Sequence, residues 1–178
     1  ILTAYLAARE KGETEITTED GIEVFQNEKY YILKKNVKIE SDSFILSADY
    51  VKINFDKSLY DIVELNAKGN VNFNSQQFQM KGIGEALKFR VKSENLKIEG
   101  LNSKLISEDI EMFSDGSIEV NNLDGNFILK GLNSKLINES ILVEGESIDG
   151  IFSNIQSKKE ITSLIVIDKK ISYVKNND

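Results

Sequence analysis

Apolar and polar residues alternate along most of the chain with a period of two, which predicts half-buried β-strands. No apolar stripe with helical spacing runs for more than about two turns, and the best helical candidate is Thr3 to Lys11. We therefore expect an all-β chain. The alternating runs are Val37-Ile39, Phe44-Leu46-Ala48, Val51-Ile53-Phe55, Val63-Leu65-Ala67, Val71-Phe73, Phe78-Met80, Leu87-Phe89-Val91, Leu96-Ile98, Ile110-Met112, Ile118-Val120, Phe127-Leu129, Ile141-Val143 and Ile165-Ile167.

The parity of the apolar positions also predicts where strands bend or end. From Val63 to Phe73 the parity is constant, so Gly69 is predicted to form a bulge or bend inside one long strand. The parity changes between Ala48 and Val51 and again between Gly82 and Leu87. These two changes predict turns or crossovers.

Two Asp-Gly steps indicate tight turns. A three-residue loop at Ser114-Asp115-Gly116 would pair Met112 with Ile118. A two-residue turn at Asp124-Gly125 would pair Val120 with Leu129. Together they predict a three-stranded meander from Asp109 to Lys130.

An internal repeat underlies the alternation. The pattern of Asn36 to Ala48 returns 34 residues later as Asn70 to Gly82, with matching Asn, Val, Ser and Phe positions. The heptad Gly-Leu-Asn-Ser-Lys-Leu-Ile occurs identically at Gly100 to Ile106 and Gly131 to Ile137. Because the repeated unit is a pair of strands, we expect an elongated stack of such pairs.

Composition narrows the chemistry that the chain can perform. Its 178 residues include no His and no Cys, which removes the usual general base, thiolate nucleophiles, disulfides and the commonest metal ligands. The net charge is −7, and no Lys/Arg cluster provides a basic groove, so nucleic acid is not an expected partner. We expect no enzyme activity, no catalytic residue, no metal site and no cofactor.

The length suits one domain with a substantial core. We place this domain at residues 14–178 and treat residues 1–13 as an N-terminal segment that is either a short helix or disordered. Within it, Ile1 to Ala8 is apolar and uncharged. That composition fits the end of a signal peptide, a first strand or a short amphipathic segment.

The apolar stripe shared by the strands is the remaining candidate for a binding site. In one interpretation it is the core of a sandwich. In the other, two splayed sheets leave an apolar trough between them that can take acyl chains. The predicted lipid-binding residues are Leu46, Ile53, Leu65, Phe73, Met80, Phe89, Ile98, Met112, Val120 and Leu129.

Residues 14–106 resemble the LptA or OstA-like family of periplasmic lipopolysaccharide-transport bridge proteins. The segments that carry the resemblance are, in order, Ile16 to Val24, Lys35 to Ile39, Phe44 to Ile53 and Ala67 to Phe73. The family's first Gly-Asn-Val step reads Lys35-Asn36-Val37, without its glycine, whereas the second, Gly69-Asn70-Val71, is intact. The C-terminal third matches only through its continuing repeats.

The resemblance implies an elongated, twisted β-jellyroll of two antiparallel sheets in the periplasm, whose interior binds the acyl chains of lipopolysaccharide. It also implies that terminal edge strands join the protein head to tail to LptC-like and LptD-like jellyrolls or to further copies of itself. On this chain the edges would be Ile22 to Leu33 and Leu164 to Tyr173. The implied function is to carry lipopolysaccharide from the inner to the outer membrane.

Three alternatives differ from this hypothesis in testable ways. A membrane-anchored LptC-like protein would have a full transmembrane helix where this sequence shows only Ile1 to Ala8. A structural repeat protein or adhesin module would form a right-handed β-helix with Asn residues stacked at its turns, although the unequal repeat spacing argues against uniform coils. A glycan lyase that uses carboxylates and lysines has the least support.

Overall fold

Fourteen β-strands form the regular structure of the described part of the chain. In this computed structural model, the structure describes residues 10–155, 158–167 and 172–175. Most of the helical candidate Thr3 to Lys11 lies outside the described residues. Within them no helix is found, and so none that could cross a membrane. The strands are β1 (Glu15–Thr17), β2 (Ile22–Phe25), β3 (Tyr30–Glu40), β4 (Ile45–Phe55), β5 (Ile62–Ser75), β6 (Met80–Arg90), β7 (Asn95–Glu99), β8 (Ser103–Ser107), β9 (Ile110–Ser114), β10 (Ser117–Asn121), β11 (Asn126–Ile137), β12 (Ile141–Ile155), β13 (Lys158–Ile167) and β14 (Ser172–Lys175).

All the strand pairs are antiparallel and belong to one continuous sheet that folds into two layers. Each long strand contributes one half to each layer. The first layer contains β1, β8, β9, β14 and residues 37–40, 45–48, 71–75, 80–84, 134–137 and 141–145 of the long strands. The second layer contains β2, β7, β10, β13 and residues 30–34, 50–55, 62–68, 86–90, 126–130 and 147–155. The predicted all-β jellyroll is confirmed.

The long strands pass from one layer to the other at a corner, and bulges with left-handed backbone form that corner. In β3 the register shifts between Lys34 and Val37, and in β5 it shifts between Lys68 and Val71. The two residues inside each shift have positive φ: 66° and 50° at Lys35-Asn36, and 76° and 48° at Gly69-Asn70. Extra residues in left-handed conformation bend a strand and increase its twist, so the long strands turn from one layer into the other here. The predicted bulge at Gly69 is confirmed.

The two predicted turns at parity changes are wrong. Ala48 and Val51 both lie in β4, and Gly82 and Leu87 both lie in β6. Each strand crosses the same corner, and the register shift there moves the inward side chains from one parity to the other. A parity change in this chain therefore marks a corner within a strand.

The predicted meander from Asp109 to Lys130 is also wrong. β9 pairs with β8 and β11, whereas β10 pairs with β7 and β11, so the step at Asp115-Gly116 crosses the corner from the first layer to the second. Val120 pairs with Phe127 instead of Leu129. Gly125, at φ 76°, donates to the carbonyl of Asn121, which makes the loop longer than the expected two residues.

Candidate functional site: an apolar interior between two layers

The ten predicted lipid-binding residues all lie in the interior between the two layers. Each of them has 0% exposure, and they form one cluster with the other core residues. The structure thus brings together the whole predicted set, in a packed core rather than an open trough. That these side chains contact a lipid remains a prediction.

The seam is the margin of the sandwich opposite the corner. There the turns of the two layers face each other, and no strand of the described residues crosses from one layer to the other. Aromatic rings close part of this seam. Phe89 of the second layer lies with its ring centroid 5.2 Å from that of Phe73, 5.9 Å from that of Phe44 and 5.5 Å from that of Phe78, all contributed by the first layer. These contacts are apolar and without hydrogen bonds between the rings. Aromatic packing therefore joins the layers at this part of the seam.

At the N-terminal end an apolar groove of about 250 Å³ opens between the two layers. Ile16 of β1 and Ile22 of β2 flank it, with Leu33 and Leu59 among its lining residues. Ile22 is 49% exposed. Tyr31 lies at the base of the groove and donates its hydroxyl to the carbonyl of Leu59 at 3.0 Å.

Edge strands border both ends of the molecule. Among the described residues, β1 and β2 each pair only with β3 at the N-terminal end, and β13 and β14 each pair only with β12 at the C-terminal end. Each edge strand therefore leaves one side without a partner strand among the described residues. Of the edge expected at Ile22 to Leu33, β2 is an edge strand, but Tyr30 to Leu33 belong to β3 and pair with β4 on their other side. The edge expected at Leu164 to Tyr173 includes the end of β13 and the start of β14, and residues 168–171 lie outside the described residues. Such edges can accept a further strand.

The comparisons with known proteins agree with this architecture. Residues 15–122 match the family described as LptA/(LptD N-terminal domain) LPS transport protein. The chain belongs to this family. LptH of Pseudomonas aeruginosa, the LptA-homologous periplasmic component of a lipopolysaccharide transport device, superimposes with a TM-score of 0.54 at 12% sequence identity, covering 93% of this chain and 96% of that chain. No curated protein matches the sequence.

One contact recurs at the corner between the layers of this LptA/LptD-N family member. An Asn side chain in three bulges donates to a carboxylate on a neighbouring segment: Asn36 to Glu19, Asn70 to Asp49 at 2.8 Å, and Asn133 to Asp115 at 2.7 Å. The backbone and side-chain N–H groups of Asn133 hold the pKa of Asp115 below its usual value. These three pairs brace the bend.

The identical heptads also form the same corner structure in this family member. Ser103 and Ser134 are buried, and each donates its hydroxyl to the carbonyl of the glycine three residues earlier, at 2.8 Å and 3.2 Å. The hydroxyl satisfies a backbone acceptor at the place where the ladder is interrupted. The repeat is thus a repeat of corners as well as of strands.

Sequence reasoning missed Lys159, which is only 5% exposed. Its ammonium donates to the Ser107 hydroxyl and the Asn122 side-chain carbonyl, each at 2.7 Å, and lies 4.8 Å from the Phe152 ring centroid. Burial lowers the pKa of Lys159, although the carboxylates of Glu108 and Glu94 oppose that effect. A signal was present in the sequence, because Lys159 shares its parity with Ile161, which packs against the core.

Carboxylates on the strand surfaces form ion pairs with neighbouring lysines. Glu111 pairs with Lys104 at 2.9 Å and Glu144 pairs with Lys135 at 3.4 Å, with partly exposed side chains in both pairs. Such surface pairs contribute at most about 1 kcal/mol each.

The right-handed β-helix is excluded as the fold, because its coils stack as parallel strands whereas the described pairs are antiparallel.

Proposed function

We propose that this protein is a periplasmic component of lipopolysaccharide transport, which carries the lipid between the membranes with its acyl chains between the two layers. Membership of the LptA/LptD-N family supports the transport role, and the periplasmic location of LptH supports the compartment. The observation that carries the proposal is the single apolar interior that runs between the layers from the N-terminal groove.

The energetics of this role follow from burial. Each acyl methylene removed from water contributes about 0.8 kcal/mol. Because the interior is packed, acyl chains enter only if the layers separate and the lipid replaces the side-chain contacts that are lost. The aromatic part of the seam, at Phe44, Phe78 and Phe89, suits this exchange, since its contacts are apolar and leave no hydrogen bond unsatisfied.

Joining to other jellyrolls is the second part of the proposal. The free sides of β1 and β2 and of β13 and β14 can each extend the sheet by strand addition. The expected partners are LptC-like and LptD-like jellyrolls or a further copy of this chain. Joining at these edges would align the interiors of neighbouring molecules.

The experiment is site-specific photo-crosslinking in cells that contain lipopolysaccharide. A crosslinking residue at Phe73 or Met80, which point into the interior, should give a lipopolysaccharide adduct. The matched outward positions are Asn72 and Lys81, the immediate neighbours, which are exposed. Adducts from the outward positions alone would contradict acyl binding between the layers.

A further inference from the structure

Two consecutive lysines join the layers at the C-terminal part of the seam. Lys159 of β13 belongs to the second layer, and its ammonium reaches Ser107 at the end of β8 in the first layer at 2.7 Å. Its backbone N–H donates to the Glu108 carboxylate of the first layer at 2.9 Å. Lys158 pairs with Asp109 at 3.1 Å and with Glu139 at 3.2 Å, both in turns of the first layer. We call these contacts the lysine clasp.

The lysine clasp differs in chemistry from the aromatic part of the seam. Separating the layers at Phe89 exposes apolar surface that acyl chains can cover. Separating them at Lys159 takes the Ser107 hydroxyl away from a buried ammonium and the Glu108 carboxylate away from the Lys159 backbone N–H, and acyl chains cannot replace those hydrogen bonds. Lipid entry can therefore offset the free-energy cost of opening the aromatic part of the seam. It cannot offset the cost of opening the lysine clasp.

The clasp is not itself suited to bind an anionic headgroup. Carboxylates of Asp109, Glu139 and Glu108 already contact the two lysines. Two positive charges facing three negative ones leave a local negative excess, which repels phosphate groups. The contacts hold the layers together rather than offering a free cation.

We propose that the lysine clasp makes the seam open in two stages: acyl chains separate the layers at the aromatic part while the clasp keeps the C-terminal part closed. Lys159 is the central positioning residue because its ammonium bridges the layers from a buried position. This inference rests on the proposed function, since it concerns how the same interior admits lipid. Release of the clasp is then a separate step, which precedes exposure of the C-terminal interior.

The test measures the two parts of the seam separately with pairs of spin labels. The chain has no cysteine, so introduced cysteines are labelled uniquely. One pair at Lys57 and Gln77 reports the aromatic part, and a second pair at Leu123 and Ser140 reports the clasp part; all four side chains are exposed. On adding lipopolysaccharide to the otherwise unchanged chain, the first distance should increase and the second should stay constant.

In Lys159→Met, which retains an unbranched stem but lacks the ammonium, both distances should increase with lipopolysaccharide. Lys159→Arg should restore the wild-type behaviour at least partly, because the cation is retained, and the exposed Lys130→Met is the matched control that should change nothing. If Lys159→Met does not fold, Lys158→Met removes the exposed part of the clasp and should widen the second distance more weakly. An equal opening of both parts in the unchanged chain would overturn the inference.

A lipid-free measurement separates failure of this inference from failure of the proposed function. Amide hydrogen exchange in β8 and at the start of β13 should accelerate by about tenfold or more in Lys159→Met, since a hydrogen bond to a charged group typically contributes at least that factor. Unchanged exchange would overturn the clasp. Faster exchange with no distance change on adding lipopolysaccharide would instead contradict lipid entry and leave the clasp in place.

Discussion

Lys35 occupies a left-handed position that glycine would adopt without strain, so Lys35→Gly is expected to stabilise the protein relative to Lys35→Ala. Its φ is 66°, and the equivalent position in the next repeat is Gly69 at 76°. Alanine is the proper reference because both substitutions remove the exposed ion pair with Glu19. The difference in stability between Lys35→Gly and Lys35→Ala then reports the backbone conformation at this position.

The magnitude follows from two opposing terms. A left-handed conformation costs a residue with a Cβ about 1–2 kcal/mol. Glycine gains more freedom in the unfolded chain, which offsets about 0.4–1 kcal/mol of that advantage. We therefore expect Lys35→Gly to be about 0.5–1 kcal/mol more stable than Lys35→Ala, and for a chain of this size each kcal/mol shifts Tm by about 2–4 °C.

The assay is urea unfolding followed by far-ultraviolet circular dichroism, with constant m-values as the check that only stability changes. The matched control is Lys38, an exposed lysine later in β3 that is absent from the positive-φ residues. There the order should reverse, because glycine in a regular strand costs about 0.5–1 kcal/mol relative to alanine. If Lys35→Gly is not more stable than Lys35→Ala, the strain argument for the corner is refuted.

Three further predictions test other parts of the structure. Phe89→Ala should destabilise the protein by about 3–5 kcal/mol in urea unfolding, because it removes the ring at the centre of the aromatic cluster. Gly69→Ala should lower Tm, since a Cβ there would overlap the Asp49 carboxylate; an unchanged Tm would contradict the close approach. Burial, and to a smaller extent Tyr60, raises the pKa of Tyr31. The stability that the protonated Tyr31 hydroxyl contributes is therefore complete below pH about 10 and is lost as the pH rises further. Tyr31→Phe should lose about 1 kcal/mol at neutral pH with the Leu59 hydrogen bond and show a smaller fall in stability at alkaline pH.

Alternation predicted the inward faces well because burial on one side of a strand directly determines which residues are apolar. Every predicted interior residue, from Leu46 to Leu129, has 0% exposure. The bulge at Gly69 could be predicted because a glycine stands inside a run of apolar positions whose parity does not change. Lys35 forms the same bend without glycine, and the repeat that aligns Lys35 with Gly69 is the sequence signal for its left-handed backbone.

Strand pairing was harder to predict, because a corner and a hairpin turn both contain Asp-Gly steps. Asp115-Gly116 connects strands in different layers, and the carboxylate of Asp115 braces the bulge at Asn133. Local sequence shows that the chain bends there, but the partner of each strand depends on contacts distant in sequence. Lys159 was missed for a related reason, since its partners Ser107 and Asn122 lie 52 and 37 positions away.

Binding of acylated and deacylated lipopolysaccharide to the purified protein tests most directly the claim that acyl chains are what the interior recognises. In an isothermal titration, lipopolysaccharide should bind with a negative heat-capacity change, which marks burial of apolar surface. The same saccharide without its acyl chains should not bind measurably. Equal binding of the two ligands would contradict the account, because recognition would then lie outside the apolar interior.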